Sequence, residues 1–326
     1  MEEIETLDFS DTFNVIEKYG EDLTKKEYIT NPAIARELEL KKLIMILLTP
    51  EKSGLLVGKA GIGKTAIVEG LAYLIQKNEV PDVLKNYRII KLNSTSLVGK
   101  ITIDGREELI IQLLVQELKQ MSKVIIFIDE IHTLIGGDKD GPMDLANILK
   151  PGLDRGDIKA IGATTTSEYE TYVIKDRAFL RRFERVDVEE PNEETTVKIL
   201  MGSLPKIEKQ TGCKFKYNEY VTKMLIESIV SATSEFKRVY GLSAMYPDVA
   251  FSVLTGAFSE ALFQNRNEVN LLDVYNAIKN SKRIYPDSIV KELTVFREKF
   301  QELAKEENIE LSIVTIDDID NNVEKY

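Results

Sequence analysis

Residues 58–65 read GKAGIGKT, with Gly58, Gly63, Lys64 and Thr65 at the spacing G-x-x-x-x-G-K-T. Glycines at 58, 61 and 63 let consecutive backbone N–H groups converge on phosphate oxygens, where side chains would obstruct the approach. A helix that follows such a loop directs the positive end of its dipole at the same anion. Lys64 is placed to reach the β- and γ-phosphates and the Thr65 hydroxyl to ligate Mg²⁺, with Ile62 and Ala66 beside them in the loop. The chemistry implied is the holding of a nucleoside triphosphate with Mg²⁺.

A loop of this kind needs a carboxylate at the end of a neighbouring strand. The stretch KVIIFIDEIHTL places Asp129 and Glu130 directly after five apolar residues. Two adjacent acids ending a buried strand are costly without a cation and a water to serve. Asp129 is the candidate on the metal side, and Glu130 the candidate to orient and polarise an attacking water. A further strand end, IGATTT, presents threonine hydroxyls. The stretch FLRRFERV carries Arg181 and Arg182 side by side, a usual surface feature but also one able to stabilise charge on a transferred phosphoryl group from across a subunit boundary.

The elements that must position these residues alternate. The runs SGLLVG (53–58), RIIKL (88–92), KVIIFID (123–129) and IKAIGAT (158–164) are apolar without clean alternation, as parallel strands buried on both faces are. Helical spacing occupies 37–48, Thr65 to Lys77 and 106–120 between them, and a short helix is expected near FNVIEKYGEDL. Strand–helix alternation predicts an α/β fold with a parallel sheet flanked by helices. Beyond Pro191 the pattern is helical, over 218–230 and 247–262 for example, and 287–308 predicts one more helix. The end, LSIVTIDDIDNNVEKY, allows a short strand before an acidic tail. The expected division is a polar segment (1–30), an α/β nucleotide-binding domain (31–191), a smaller all-helical domain (192–286) and a C-terminal helix with its tail (287–326).

The 43 Lys and Arg against 54 Asp and Glu leave a net charge of −11, unfavourable for tracking a nucleic-acid backbone. The single cysteine, Cys213, forms no disulfide within the chain and is expected as an unreactive thiol. The acidic N-terminus lacks the order of a signal peptide, and no apolar run nears the roughly 20 residues of a membrane span. A cytoplasmic protein without membrane contact is expected.

Together these residues resemble the first ATPase module of the bacterial Clp/Hsp100 disaggregases, within the AAA+ superfamily. The resemblance runs from about Glu17 to Pro191, through EKYGEDLT, NPAIARELEL, GKAGIGKTAIVEGLA, NEVPDVLKN, SLVGK, FIDEIHTLIGG, DLANILKPGLDRGDIKAIGATTTSEY and KDRAFLRRFERVDVEEP. It implies a P-loop NTPase fold with a helical lid, and ATP hydrolysis. It matches Thr165 to the position that senses the γ-phosphate, with Thr164 its neighbour. Arg181 and Arg182 match arginine fingers that reach into the next subunit, and so imply a homo-oligomeric ring, a hexamer. Ile34 and Ala35 match backbone lining the adenine pocket, although the family usually has glycine where Ala35 stands. His132 is expected to pack beside the acidic pair.

Three departures bear on function. The aromatic with which relatives grip a polypeptide in the central pore is replaced by Ile103, when Gly105 is aligned to the glycine of that loop. The lid's PDKAI region reads YPDVAF, with Val249 where lysine stands. The resemblance places a protease-docking element in a second module, so none is expected in this sequence. The leading expectation is a single-ring remodeller of a polypeptide or protein assembly. The alternative is a nucleotide-controlled platform that recruits and releases a protein partner without threading, followed by a DNA-directed ATPase.

Overall fold

The computed structural model describes residues 15–97, 99–103, 106–135, 159–240 and 245–323. Gly105 and almost all of the DLANILKPGLDRGDIK stretch lie outside the described residues. The chain divides into two compact units. The first comprises 1–27, 39–57 and 71–187, and the second 28–38, 58–70 and 188–326.

Unit 1 is built on six strands: β1 (Gly20–Asp22), β2 (Ser53–Val57), β3 (Arg88–Leu92), β6 (Val124–Ile128), β7 (Lys159–Thr164) and β8 (Phe183–Asp187). They lie in the order β1-β3-β6-β7-β2-β8. All neighbours pair in parallel except β1, which runs antiparallel to β3. The expected α/β sheet is therefore present, with four strands where continuous apolar runs predict them. Strands β2 and β6 are buried along their whole length, which explains why they show no alternation. Two strands of this sheet escape the sequence reading: β1, and β8 at the opposite edge, where Glu184, Arg185 and Asp187 are exposed.

Helix α2 (Glu37–Leu48) occupies the expected span, and a short α1 (Val15–Tyr19) precedes β1. Residues 106–109, expected as the start of a helix, instead form β5, paired antiparallel with β4 (Lys100–Ile103) in a hairpin. Helix α5 starts only at Ile110 and runs to Gln120. Its Leu114 and Leu118 join Ile90, Ile126, Ile128 and Phe183 in the core of the unit.

Unit 2 holds a second core, built on five helices: α8 (Glu193–Thr211), α9 (Glu219–Ala232), α10 (Asp248–Phe263), α11 (Leu271–Lys279) and α12 (Pro286–Lys299). Asn192, Asn218 and Asn270 each cap the helix that follows, their side chains accepting a backbone N–H three residues on. After α12 the chain forms two shorter helices, Gln301–Glu306 and Ile316–Val323. The strand allowed by LSIV is absent. Val314 and Ile319 are buried in the helical core, so this acidic segment is docked by its apolar residues. Among the described residues no helix is long and apolar enough to cross a membrane.

Candidate nucleotide site

Strand β2 ends at Val57, and the chain passes directly into the phosphate loop. Within unit 2 the loop is held by its own side chains. Ile62 is 1% exposed and tucks under Gly58, while Gly61 and Gly63 take φ of +76° and +96°, backbone that L side chains rarely adopt. Helix α3 (Lys64–Gln76) starts at the lysine. The Lys64 ammonium donates to the carbonyls of Gly58 and Lys59 at 2.8 and 3.0 Å, and so lies over the first turn of the loop. Thr65 and Ala66, both half-buried, follow in the first turn of α3.

Two residues of this half receive no role from the sequence. Arg36 is 6% exposed, and its guanidinium donates to the Ile62 carbonyl at 2.7 Å and to the Glu189 carbonyl at 3.0 Å. It thus ties the phosphate loop to the segment that leads into the helical core. The next residue, Glu190, accepts from Arg238 at 2.6 Å and from the Tyr246 N–H at 2.7 Å. Ile34 is half-buried against Gly202 of α8, and Ala35 takes a left-handed φ of 56°.

Unit 1 presents the acids. Asp129 and Glu130 follow β6 at the carboxyl edge of the sheet, beside a cavity of about 600 Å³ that Lys18, Tyr19, Asn93 and Ser94 also line. Glu130 is exposed, and it holds φ 53° and ψ 43°. Left-handed backbone at a non-glycine residue stores strain, and such strain clusters at functional sites. The conformation is fixed from both sides. The Glu130 N–H donates to Asp129 Oδ1 at 3.1 Å, and the Glu130 carbonyl accepts the Thr133 hydroxyl and N–H at 2.9 and 3.0 Å. The 3₁₀ turn Ile131–Leu134 then rests on β7, where Gly162 makes room for Ile131: a Cβ at Gly162 would lie 2.8 Å from the Ile131 Cδ1.

Strand β7 delivers the threonines next door. Thr164, 2% exposed, lies in register with Val57 of β2. Thr165 is the N-cap of α6 (Thr166–Thr171) in a reciprocal capping box: its hydroxyl accepts the Glu168 N–H, and Glu168 accepts the Thr165 N–H at 3.0 Å. The same Glu168 oxygen lies 3.3 Å from the Thr164 hydroxyl and 3.1 Å from His132 Nδ1. His132, stacked on Tyr172, therefore bridges the acidic turn and the threonine pair. Burial pushes the Glu168 carboxyl up, but the Thr165 hydrogen bonds, His132 and Thr164 outweigh it and hold it below the ordinary range. The T-x-x-E spacing that announces this box is visible in TTSE.

Arg181 is exposed and Arg182 half-buried, in the turn between α7 (Arg177–Leu180) and β8. Phe179 and Phe183 stack 4.0 Å apart beneath them. The Arg181 guanidinium has no ion-pair partner among the described residues.

The residues fit nucleotide and cation chemically. The loop is a glycine cradle with a lysine at its mouth. Mg²⁺ keeps several waters and takes one or two carboxylates beside phosphate oxygens. Thr65 in unit 2 carries a hydroxyl and Asp129 in unit 1 a carboxylate, each a donor type such a cation accepts, and among the described residues no group of three or more His, Cys, Asp or Glu offers a closed cage.

Comparison with known proteins bears on the family. The profile of the ATPase family associated with various cellular activities (AAA) matches residues 54–190. A probable ATP-dependent Clp protease ATP-binding subunit of Chlamydia pneumoniae is 33% identical over 302 residues, covering 91% of this chain and 34% of that protein. The chaperone protein ClpB of Aquifex aeolicus is 41% identical over 246 residues, 74% of this chain and 24% of that one. A closed-state reconstruction of Hsp104 with ATPγS and FITC casein superposes with a TM-score of 0.68 at 29% identity, covering 90% of this chain and 48% of that chain. The S. cerevisiae Hsp104–ADP complex gives 0.66 at 32% identity, covering 89% and 47%. The chain thus spans about a third of the length of the curated relatives it matches. With the AAA profile over most of its sheet and likeness to Clp and Hsp104 proteins along most of its length, the chain belongs with them as an AAA+ module of the Clp/Hsp100 type.

Proposed function

We propose that this chain binds ATP with Mg²⁺ at the phosphate loop, hydrolyses it, and serves as the ATPase module of a ring that remodels a polypeptide or a protein assembly. The phosphate loop carries the reading, with both glycines in left-handed backbone and Lys64 at its mouth. Bound Mg²⁺ would neutralise charge on the β- and γ-phosphates, with Thr65 and Asp129 as its protein ligands. Lys64 exchanges its two carbonyl partners for phosphate oxygens. Glu130, exposed beside a polar cavity, orients a water and takes its proton. The Thr165 hydroxyl accepts the Glu168 N–H, so its own proton stays available to a γ-phosphate oxygen. Arg181 and Arg182 serve a neighbouring subunit's nucleotide.

Nucleotide binding and steady-state turnover test this directly. Lys64→Ala should abolish binding, whereas Glu130→Gln should bind ATP and hydrolyse it at least about a hundredfold more slowly. Normal turnover in the Glu130 variant removes that residue from the mechanism. The relatives' names, chaperone and Hsp104 with casein, support a protein as the object of the work. The hairpin β4–β5 ends in the aliphatic Ile103 where an aromatic is expected, which favours the second reading, a platform that recruits a partner without threading. Stimulation of the same assay by an unfolded protein, lost on Ile103→Ala, selects threading. Stimulation only by one native partner selects the platform.

A further inference from the structure

Helix α10 begins against the phosphate loop. A Cβ placed on Gly61 would lie 2.7 Å from the Cβ of Asp248 and 3.5 Å from its Oδ2, so the first side chain of the helix rests on the loop. A carboxylate is a poor neighbour for a polyphosphate, because like charges at this range disfavour each other. This one has a counter-ion. Arg283 Nη1 lies 2.7 Å from Asp248 Oδ2. The arginine's backbone is pinned: its carbonyl accepts the Val239 N–H at 3.0 Å, and Ile284 bridges to Arg238. The two side chains are 38% and 49% exposed, so the guanidinium has room to turn toward a ligand. Val249, where the resemblance implies lysine, is 0% exposed in the helical core and presents no cation.

We propose that Arg283 is the lid's nucleotide-binding residue, held ready by Asp248 at the edge of the loop and transferred to the phosphates when nucleotide arrives. The proposal rests on the nucleotide reading above. In the structure Asp248 holds the arginine; with nucleotide bound, the guanidinium partitions between the carboxylate and phosphate oxygens, for which its planar fork is suited.

Electrostatics then requires the two partners to act in opposite directions. Removing the cation weakens binding. Removing the carboxylate frees the cation and deletes a negative charge beside the loop, and so tightens it. An ion pair that only braces the fold moves both variants the same way.

The experiment is equilibrium binding of a fluorescent ATP analogue to the full chain, at low and high salt. Arg283→Gln should weaken binding about tenfold and Asp248→Asn should tighten it about threefold, both effects shrinking with salt. Arg283→Lys, which keeps the charge, should stay within about threefold of the unsubstituted chain. Equal weakening in the glutamine and asparagine variants, or unchanged affinity in Arg283→Gln, overturns the proposal. Should thermal unfolding show that Arg283→Gln has lost its fold, Asp248→Asn decides: tighter binding supports the proposal, weaker binding sinks it. An unsubstituted chain that fails to bind the analogue overturns the nucleotide reading itself, and this assignment with it, before any substitution is compared.

Discussion

Ala35 occupies a left-handed conformation with φ of 56°, where its Cβ crowds the following carbonyl. The cost for an L-residue there is about 1–2 kcal/mol, and glycine avoids it while losing some unfolded-state advantage. The structure thereby gives a reason for the glycine that the family usually places here. Ala35→Gly should raise unfolding stability by about 0.5–1 kcal/mol in chemical denaturation. Glu130 shares that backbone class but is braced by Asp129 and Thr133, so its strain is tied to the turn that presents its carboxylate. At this scale the phosphate loop and the acid pair were legible because their chemistry depends on residue type at fixed spacing. Arg36 was not, because a buried guanidinium that donates to two backbone carbonyls leaves no pattern in the chain.

Among the elements, α6 depends most on one ionisable group. Glu168 takes hydrogen bonds from Thr165 and lies within reach of Thr164 and His132, and its folded-state pKa is lowered from the ordinary 4.5. A lowered carboxyl stabilises fully above its unfolded pKa, and the contribution is lost as pH falls through the folded one. Stability should therefore fall on acidification below about pH 4.5, and Glu168→Gln should flatten that limb of a thermal unfolding profile against pH. The same neighbourhood explains which strands the sequence revealed. Val124–Ile128 and Lys159–Thr164 lie inside the sheet and read as unbroken apolar runs. Strand β8 is an edge strand whose exposed Glu184, Arg185 and Asp187 read as loop, and β5 was absorbed into the helical pattern of α5. The acidic C-terminal stretch misled for the opposite reason, since its few apolar residues, Val314 and Ile319, are the ones that dock.

For the whole molecule, the finger role proposed for the exposed Arg181 requires another subunit's nucleotide beside it. The solution mass of Glu130→Gln protein should shift from the free chain to about six subunits on adding ATP and Mg²⁺. A persistent monomer would leave the arginines waiting for a different partner and favour the platform. The division into two units carries one more consequence, for the order in which the molecule is made. Unit 1 is fully translated once residue 187 leaves the ribosome, whereas unit 2 draws its three segments from 28–38, 58–70 and 188–326. The phosphate loop is synthesised early and finished late. Its tie to Glu189 through Arg36 and its contact with Asp248 cannot form until residues 188–326 begin to emerge, so a nascent chain would carry a complete sheet before it could carry a nucleotide.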